Sequence, residues 1–275
     1  MNLWVLLAPL LLGLPAIGLW LWLVDPLGPV AAPRREAALW VAVGWTAFAS
    51  LTAFALSIGA AHDLSAPTRG HLTQTWVVLV WLVPAIAGAL VIWRRRGVLR
   101  QAAIDCAGFL RSTRGIERYL CAAIAACVLL VTFVALISAP TTWDSMTYPL
   151  ARVATWLQLG GASHYATSAT PQLFQPPGAE LLIAHFQALT GSDRFASVIQ
   201  TVAYALVIVL ASLVAHQLGG GRRAQLLASF LAAATPMAIM QGSSTQNDLL
   251  VGLWLMLAAG LALTIRAEPE FAFVR

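Results

Sequence analysis

The chain is short of charge. Only 10% of its 275 residues are Asp, Glu, Lys or Arg, while 60% are hydrophobic and the mean hydropathy is +0.80. That balance excludes an ordinary soluble domain, in which about a quarter of the residues are charged. Lysine is missing altogether, since all 16 basic residues are arginine. This follows a bias toward Ala, Leu, Val and Arg and carries no mechanism. Cysteine is scarce: Cys106, Cys121 and Cys127 show neither a disulfide framework nor a metal-type spacing, and they read as buried structural thiols. No repeat recurs at a fixed period.

What the chain has instead is long apolar runs, each about 17–25 residues, enough to cross a hydrocarbon core of roughly 30 Å as helices. Seven spans are expected, over 3–24, 38–60, 74–93, 119–138, 195–217, 224–240 and 248–265. The first lacks the basic n-region of a signal peptide and its apolar stretch is too long for one, so it reads as a true span. The fold class is therefore all-α, a polytopic membrane bundle with a large external loop carrying amphipathic interfacial helices.

Arginine sets the orientation. The segment 94–118 holds Arg94, Arg95, Arg96, Arg100, Arg111, Arg114 and Arg118, and is assigned to the cytoplasmic side. Alternation of spans puts 13 of the 16 basic residues on that side, leaving Arg69, Arg152 and Arg194 outside. The net charge of +5 thus reports topology and gives no sign of a nucleic-acid partner. Three parts follow: a three-span segment over 1–96, an arginine-rich stretch over 97–118 that reads as an interfacial helix facing anionic headgroups, and a module over 119–275 with its external loop at 139–194.

That loop is too long for a passive connector. It opens on Trp143-Asp144-Ser145-Met146-Thr147-Tyr148, where a carboxylate sits at the mouth of a span and needs partners. Pro149 opens a first amphipathic helix, with Leu150, Val153, Ala154 and Leu157 on its apolar face and Arg152 pointing elsewhere. Pro149 also biases Tyr148 away from helical geometry, so Asp144 is expected on non-helical backbone. A second helix is expected from Pro176-Pro177 to Leu189, with Glu180 in its first turn. Between them lie His164-Tyr165 and Gln172 to Gln175, whose hydrogen-bonding and aromatic groups suit sugar recognition. Ser192-Asp193 reads as a cap for the span near Phe195, and His185 as a satisfied histidine of an apolar helix. The second polar cluster, Ser243-Ser244-Thr245-Gln246-Asn247-Asp248, opens the last span. Thr245 and Asp248 fit a capping box, which leaves room for a functional role of Asp248 as well.

These segments resemble the polytopic GT-C glycosyltransferases, chiefly bacterial relatives of the protein O-mannosyltransferases and lipid A aminoarabinose transferases. The likeness runs over about residues 119–265. It rests on Trp143 to Val153, His164-Tyr165, Gln175-Pro176-Pro177 with Glu180, Gly191-Ser192-Asp193-Arg194 and Ser244 to Asp248. It implies a donor sugar on a polyprenyl phosphate, an external lipid, glycan or protein acceptor, and a bacterial-type cytoplasmic membrane with the active site on its outer face. Asp144 would activate or position the acceptor. Tyr148, Arg152, His164, Tyr165, Gln175, Glu180, Arg194 and Asn247 would surround the substrate, and Asp248 would occupy the position that holds Mg²⁺ or Mn²⁺ in some members. The chain departs from the pattern in two ways. Gln175 stands where many relatives place lysine, and only four spans of the module are present, as in a partial chain. A transporter or flippase of a lipid-linked substrate, and a non-catalytic membrane scaffold, are the competing expectations. The lack of mid-span charge argues against the first of them.

Overall fold

The structure is a computed structural model, and it describes residues 3–24, 33–63, 65 and 70–267. Arg69 and Arg275 lie outside the described residues. Every element described is a helix: α1 Trp4–Val24, α2 Pro33–Leu56, α3 Gln74–Arg94, α4 Arg96–Ser112, α5 Ile116–Ile137, α6 Trp143–Thr147 and α7 Pro149–Leu159 come first. They are followed by α8 Pro171–Phe174, α9 Gly178–Thr190, α10 Val198–Gln217, α11 Arg222–Ala234, α12 Pro236–Gly242 and α13 Asp248–Ala267. Helices α1, α2, α3, α5, α10 and α13 are each long and apolar enough to cross a membrane, and α11 with α12 makes a seventh as a broken pair. The chain is an all-α, multi-pass integral membrane protein.

The break has a local cause. Pro236 opens α12, and the residue before a proline is pushed out of the helical region. Thr235 accordingly has φ −63° and ψ 119°, and the two helices meet at 63°. The pair still runs antiparallel to α10 over that helix's length. Ser229 donates to the Ile208 carbonyl, Tyr204 to that of Ala233 and Thr201 to that of Gly242.

Contacts between α1 and α3 depend on glycine. A Cβ added to Gly18 would overlap the Gly88 backbone, and one on Gly88 would overlap the Leu14 carbonyl. In lipid, helix association relies on such close backbone approach rather than on expulsion of water.

The two ends of the bundle differ. At one end Arg34 pairs with Asp105, Arg222 and Arg223 with Glu117, and Arg35 donates to Ser212 and Gln225. At the other, His62 meets the His164 carbonyl, Ser163 donates to that of Ala61, and Asp144 meets Gln246. The expected alternation of loops therefore appears as an arginine end and an Asp144 end.

Within 139–194 the expected helices are present as α7 and α9, but α9 is not a surface helix. It packs against α1, α2, α3, α7 and α10, and eleven of its thirteen residues are buried. A helix covered on all faces belongs to a core. His185 at its centre is satisfied, as expected: Trp81 Nε1 donates to Nδ1 at 3.3 Å, so the proton sits on Nε2, which faces the Ala49 carbonyl at 2.8 Å. α9 ties helices α1 to α3 and the later helices into one core.

Smaller expectations need correcting. Cys106 is exposed, and Cys121 and Cys127 are half-buried. Asp193 does not cap α10, which begins at Val198 behind Ser197; its carbonyl accepts from the Ala196 amide. The capping box at Thr245 is absent because α13 begins only at Asp248, and the buried Thr245 hydroxyl makes no hydrogen bond among the described residues. Ala154 is exposed, and Arg152 joins the buried face of α7.

Candidate functional site

Asp144 lies on helical backbone, contrary to expectation, in the first turn of the five-residue α6. Thr142 makes that turn possible: its hydroxyl accepts from the Ser145 amide at 3.2 Å and bonds the Ser145 hydroxyl at 2.6 Å. Ser145, fully buried, in turn accepts from the Thr245 amide at 3.4 Å, which pins α6 to the turn before α13. Tyr148, at φ −129° and ψ −54°, breaks the helix as Pro149 dictates, and α7 starts directly after it.

The turn before α13 completes the cluster. Gln246 donates its amide to Asp144 Oδ2 at 2.5 Å, and Gln241 donates to Asp248 Oδ2 at 2.8 Å. Asn247 donates to Glu180 Oε2 at 3.2 Å and to the Pro176 carbonyl at 3.4 Å. Both aspartates are exposed at the mouth, and neither Oδ1 has a hydrogen bond among the described residues. Asp144 and Asp248, 104 positions apart, therefore face the same small region. Tyr148 is near enough to both to feel their charge. Its phenol is pushed up to about 12, first by burial and then by the negative charges of Glu180, Asp144 and Asp248.

Arg152 sits beneath, only 1% exposed. Its Nη1 donates to Glu180 Oε1 and to the Gln175 carbonyl, both at 3.0 Å, and its Nη2 to the Pro171 carbonyl at 2.6 Å. Burial pushes the Glu180 carboxyl up, against the pull of Arg152 and the Asn247 amide. The pair is a strut: it fixes the chain on either side of α8 and leaves Arg152 little to offer a ligand. Gln175 contributes its carbonyl here, and its side chain lines the neighbouring cleft.

A cleft of about 260 Å³ opens on the other side of this strut. It is lined by Phe54, Trp156, His164, Tyr165, Gln172 and Gln175, among others. Tyr165 donates to Gln172 at 2.8 Å, and Gln172 donates to the Thr147 carbonyl of α6 at 2.7 Å, so the cleft and the carboxylate cluster are mechanically joined. Burial raises the Tyr165 phenol. His164 is exposed at the rim.

The sequence-predicted residues thus divide. Asp144, Tyr148, Glu180, Asn247 and Asp248 form the cluster; Arg152, His164, Tyr165 and Gln175 border the cleft. Arg194 joins neither. It is exposed in the turn beyond the far end of α9, whose last residue is about 15 Å along the helix from Glu180. Sequence reasoning missed Gln241 and Gln246, the amides that hold the two aspartates. Gln246 lay inside the polar run already singled out. Gln241 carried no signal beyond standing seven residues before Asp248.

Among the described residues, no three His, Cys, Asp or Glu side chains are grouped to hold a metal ion. Asp144 and Asp248 each accept an amide, and Glu180 is paired with Arg152. Asp144 and Asp248 are thus the two carboxylates that a divalent cation would meet here, each already accepting an amide through Oδ2. No protein-family model, no curated protein and no solved structure matches the chain.

Proposed function

We propose that the chain carries the catalytic mouth of a membrane glycosyltransferase, which moves a sugar from a polyprenyl-phosphate carrier to a lipid, glycan or protein acceptor on the outer face of a bacterial-type cytoplasmic membrane. The observation that carries this reading is Asp144. Its carboxylate is exposed at the end of a lipid-spanning bundle, oriented through Oδ2 by Gln246, with Oδ1 open. The resemblance of residues 143–153, 164–165, 175–180 and 244–248 to the GT-C enzymes supports it.

In this reading an acceptor hydroxyl donates to Asp144 Oδ1. As its oxygen bonds to the anomeric carbon, the proton passes to the carboxylate. The bond from that carbon to the phosphate oxygen breaks, and its electron pair leaves with the polyprenyl phosphate. Gln246 keeps the acid in one orientation through the step. Asp248 accepts from a sugar hydroxyl, and Tyr165, Trp156 and His164 offer the ring a partly aromatic wall. Arg152 acts as a positioning residue through Glu180 and the backbone of 171–175.

The transporter reading draws on one feature, the broken α11–α12 pair, because discontinuous spans mark substrate sites in many transporters. At this break the Thr235 hydroxyl is turned back to the Leu231 carbonyl, and the flanking residues Ala234 and Pro236 are not ionisable. The glycosyltransferase reading is therefore preferred. Proteoliposomes holding the full chain, a radiolabelled polyprenyl-phosphate sugar and an envelope lipid extract separate the two. Label covalently attached to an acceptor supports transfer. Label that changes leaflet while still on its carrier supports transport and rejects the enzyme.

A further inference from the structure

Helix α4 is the one long helix of the described structure with no buried residue. Among the described residues no other helix packs closely along it, and its ties to the bundle are made by side chains. Yet its sequence is amphipathic: at 100° per residue Val98, Leu99, Ala102, Cys106, Phe109 and Leu110 share one arc. Phe109 and Leu110 are 39% and 53% exposed. A soluble surface does not leave such an arc uncovered.

The two borders of that arc differ. One carries Gln101, Asp105 and Ser112, and it faces the bundle. Asp105 pairs with Arg34 of α2 and also accepts from Gln101, while Ser112 and the Phe109 carbonyl accept from Arg222 of α11. The Arg222 guanidinium also stands over the Phe109 ring, 4.4 Å from its centroid. The other border carries Arg96, Arg100 and Arg111. Among the described residues no acidic side chain pairs with these three. The helix's single acid is thus neutralised by the bundle, and its arginines are left for something outside it.

We propose that α4 lies in the membrane interface as a clasp, its apolar arc in the acyl boundary and Arg96, Arg100 and Arg111 on anionic phospholipid headgroups. Its other border holds the N-terminus of α2 and that of α11 at one level. The apolar arc selects a bilayer over a soluble polyanion, because only lipid covers Leu99, Phe109 and Leu110 while the arginines meet phosphate. The attachment points at Arg34 and Arg222 place the helix level with the ends of the spanning helices, where headgroups lie.

Cys106 lies on the apolar arc and is exposed, which makes it a built-in probe. With Cys121 and Cys127 replaced by alanine, a nitroxide on Cys106 is compared with one on Gln101→Cys in a Cys106→Ala background. The full chain is held in nanodiscs of phosphatidylcholine, with or without phosphatidylglycerol. The expected result is that position 106 collides with oxygen and is shielded from a water-soluble nickel chelate, and that position 101 behaves the opposite way. The contrast should be larger in anionic discs. Each arginine near an anionic surface shifts the docked-to-undocked ratio about fivefold, so the triple variant Arg96→Gln, Arg100→Gln, Arg111→Gln should reduce the contrast to its value in neutral discs. Free nickel access at position 106 in both lipids would overturn the placement of the helix. A contrast equal in neutral and anionic discs, or unmoved by the triple variant, would overturn the lipid-charge recognition.

Discussion

Tyr148 shows how the residues of the mouth act on one another. Below its ordinary value of 10.0 the phenol is protonated in both folded and unfolded chains and adds no pH dependence. Between 10 and about 12 the unfolded chain gives up its proton first, so stability should fall with rising pH in that window and not below it. Subtracting the absorbance titration of Tyr148→Phe from that of the parent should isolate a phenol titrating near 12. In Asp144→Asn/Asp248→Asn that phenol should titrate lower; an unmoved titration would mean that the two carboxylates do not act on it. The Arg152–Glu180 pair gives a second test. Arg152→Met leaves the Glu180 carboxylate buried with one remaining side-chain partner, Asn247, and should cost about 3–5 kcal/mol. Arg152→Met/Glu180→Leu should recover most of that loss in thermal unfolding, because an apolar pair leaves no uncompensated charge. Both residues were legible in the sequence as polar groups in an apolar setting. Their pairing was not, since it joins positions 28 apart across a turn with no periodic signal.

At the scale of elements, the spanning helices were readable because each satisfies its own backbone and needs only length and hydropathy. The site helices were less so. Helix α9 reads as amphipathic because Glu180, His185 and Gln187 interrupt its apolar run. Their buried partners include Arg152, Trp81 and Ala49, the last two more than 100 residues away, and those contacts turn a surface pattern into a core helix. Helix α6 escaped notice for the opposite reason: five residues capped by Thr142 are too few to carry a period. The α1–α3 crossing supplies an element-scale prediction. Gly88→Ala puts a methyl group against the Leu14 carbonyl, with no flexible side chain there to give way. Forcing the helices apart should cost about 1–3 kcal/mol, seen as a lower Tm in detergent. The same change at Gly13, where a Cβ meets nothing within 4 Å, should leave Tm unchanged.

For the whole molecule, topology and the proposed reaction are linked. Arginines collect at one end of the bundle and the Asp144 cluster at the other, so impermeant maleimide applied to intact cells should reach Ser168→Cys but not Ser112→Cys in a cysteine-free background. Ser168 serves better than Ser163, whose hydroxyl is held by the Ala61 carbonyl. Labelling at 112 alone would invert the protein in the membrane and move the mouth to the cytoplasm. The central claim rests on Asp144, whose carboxylate is exposed and contributes little to packing. Asparagine keeps its volume and most of its hydrogen bonding but does not take up a proton at neutral pH. In proteoliposomes of the full chain supplied with radiolabelled polyprenyl-phosphate sugar, Asp144→Asn should lower sugar transfer by about 10²–10⁴ with membrane insertion and Tm unchanged. Transfer at the parent rate by a correctly inserted Asp144→Asn chain would contradict the account.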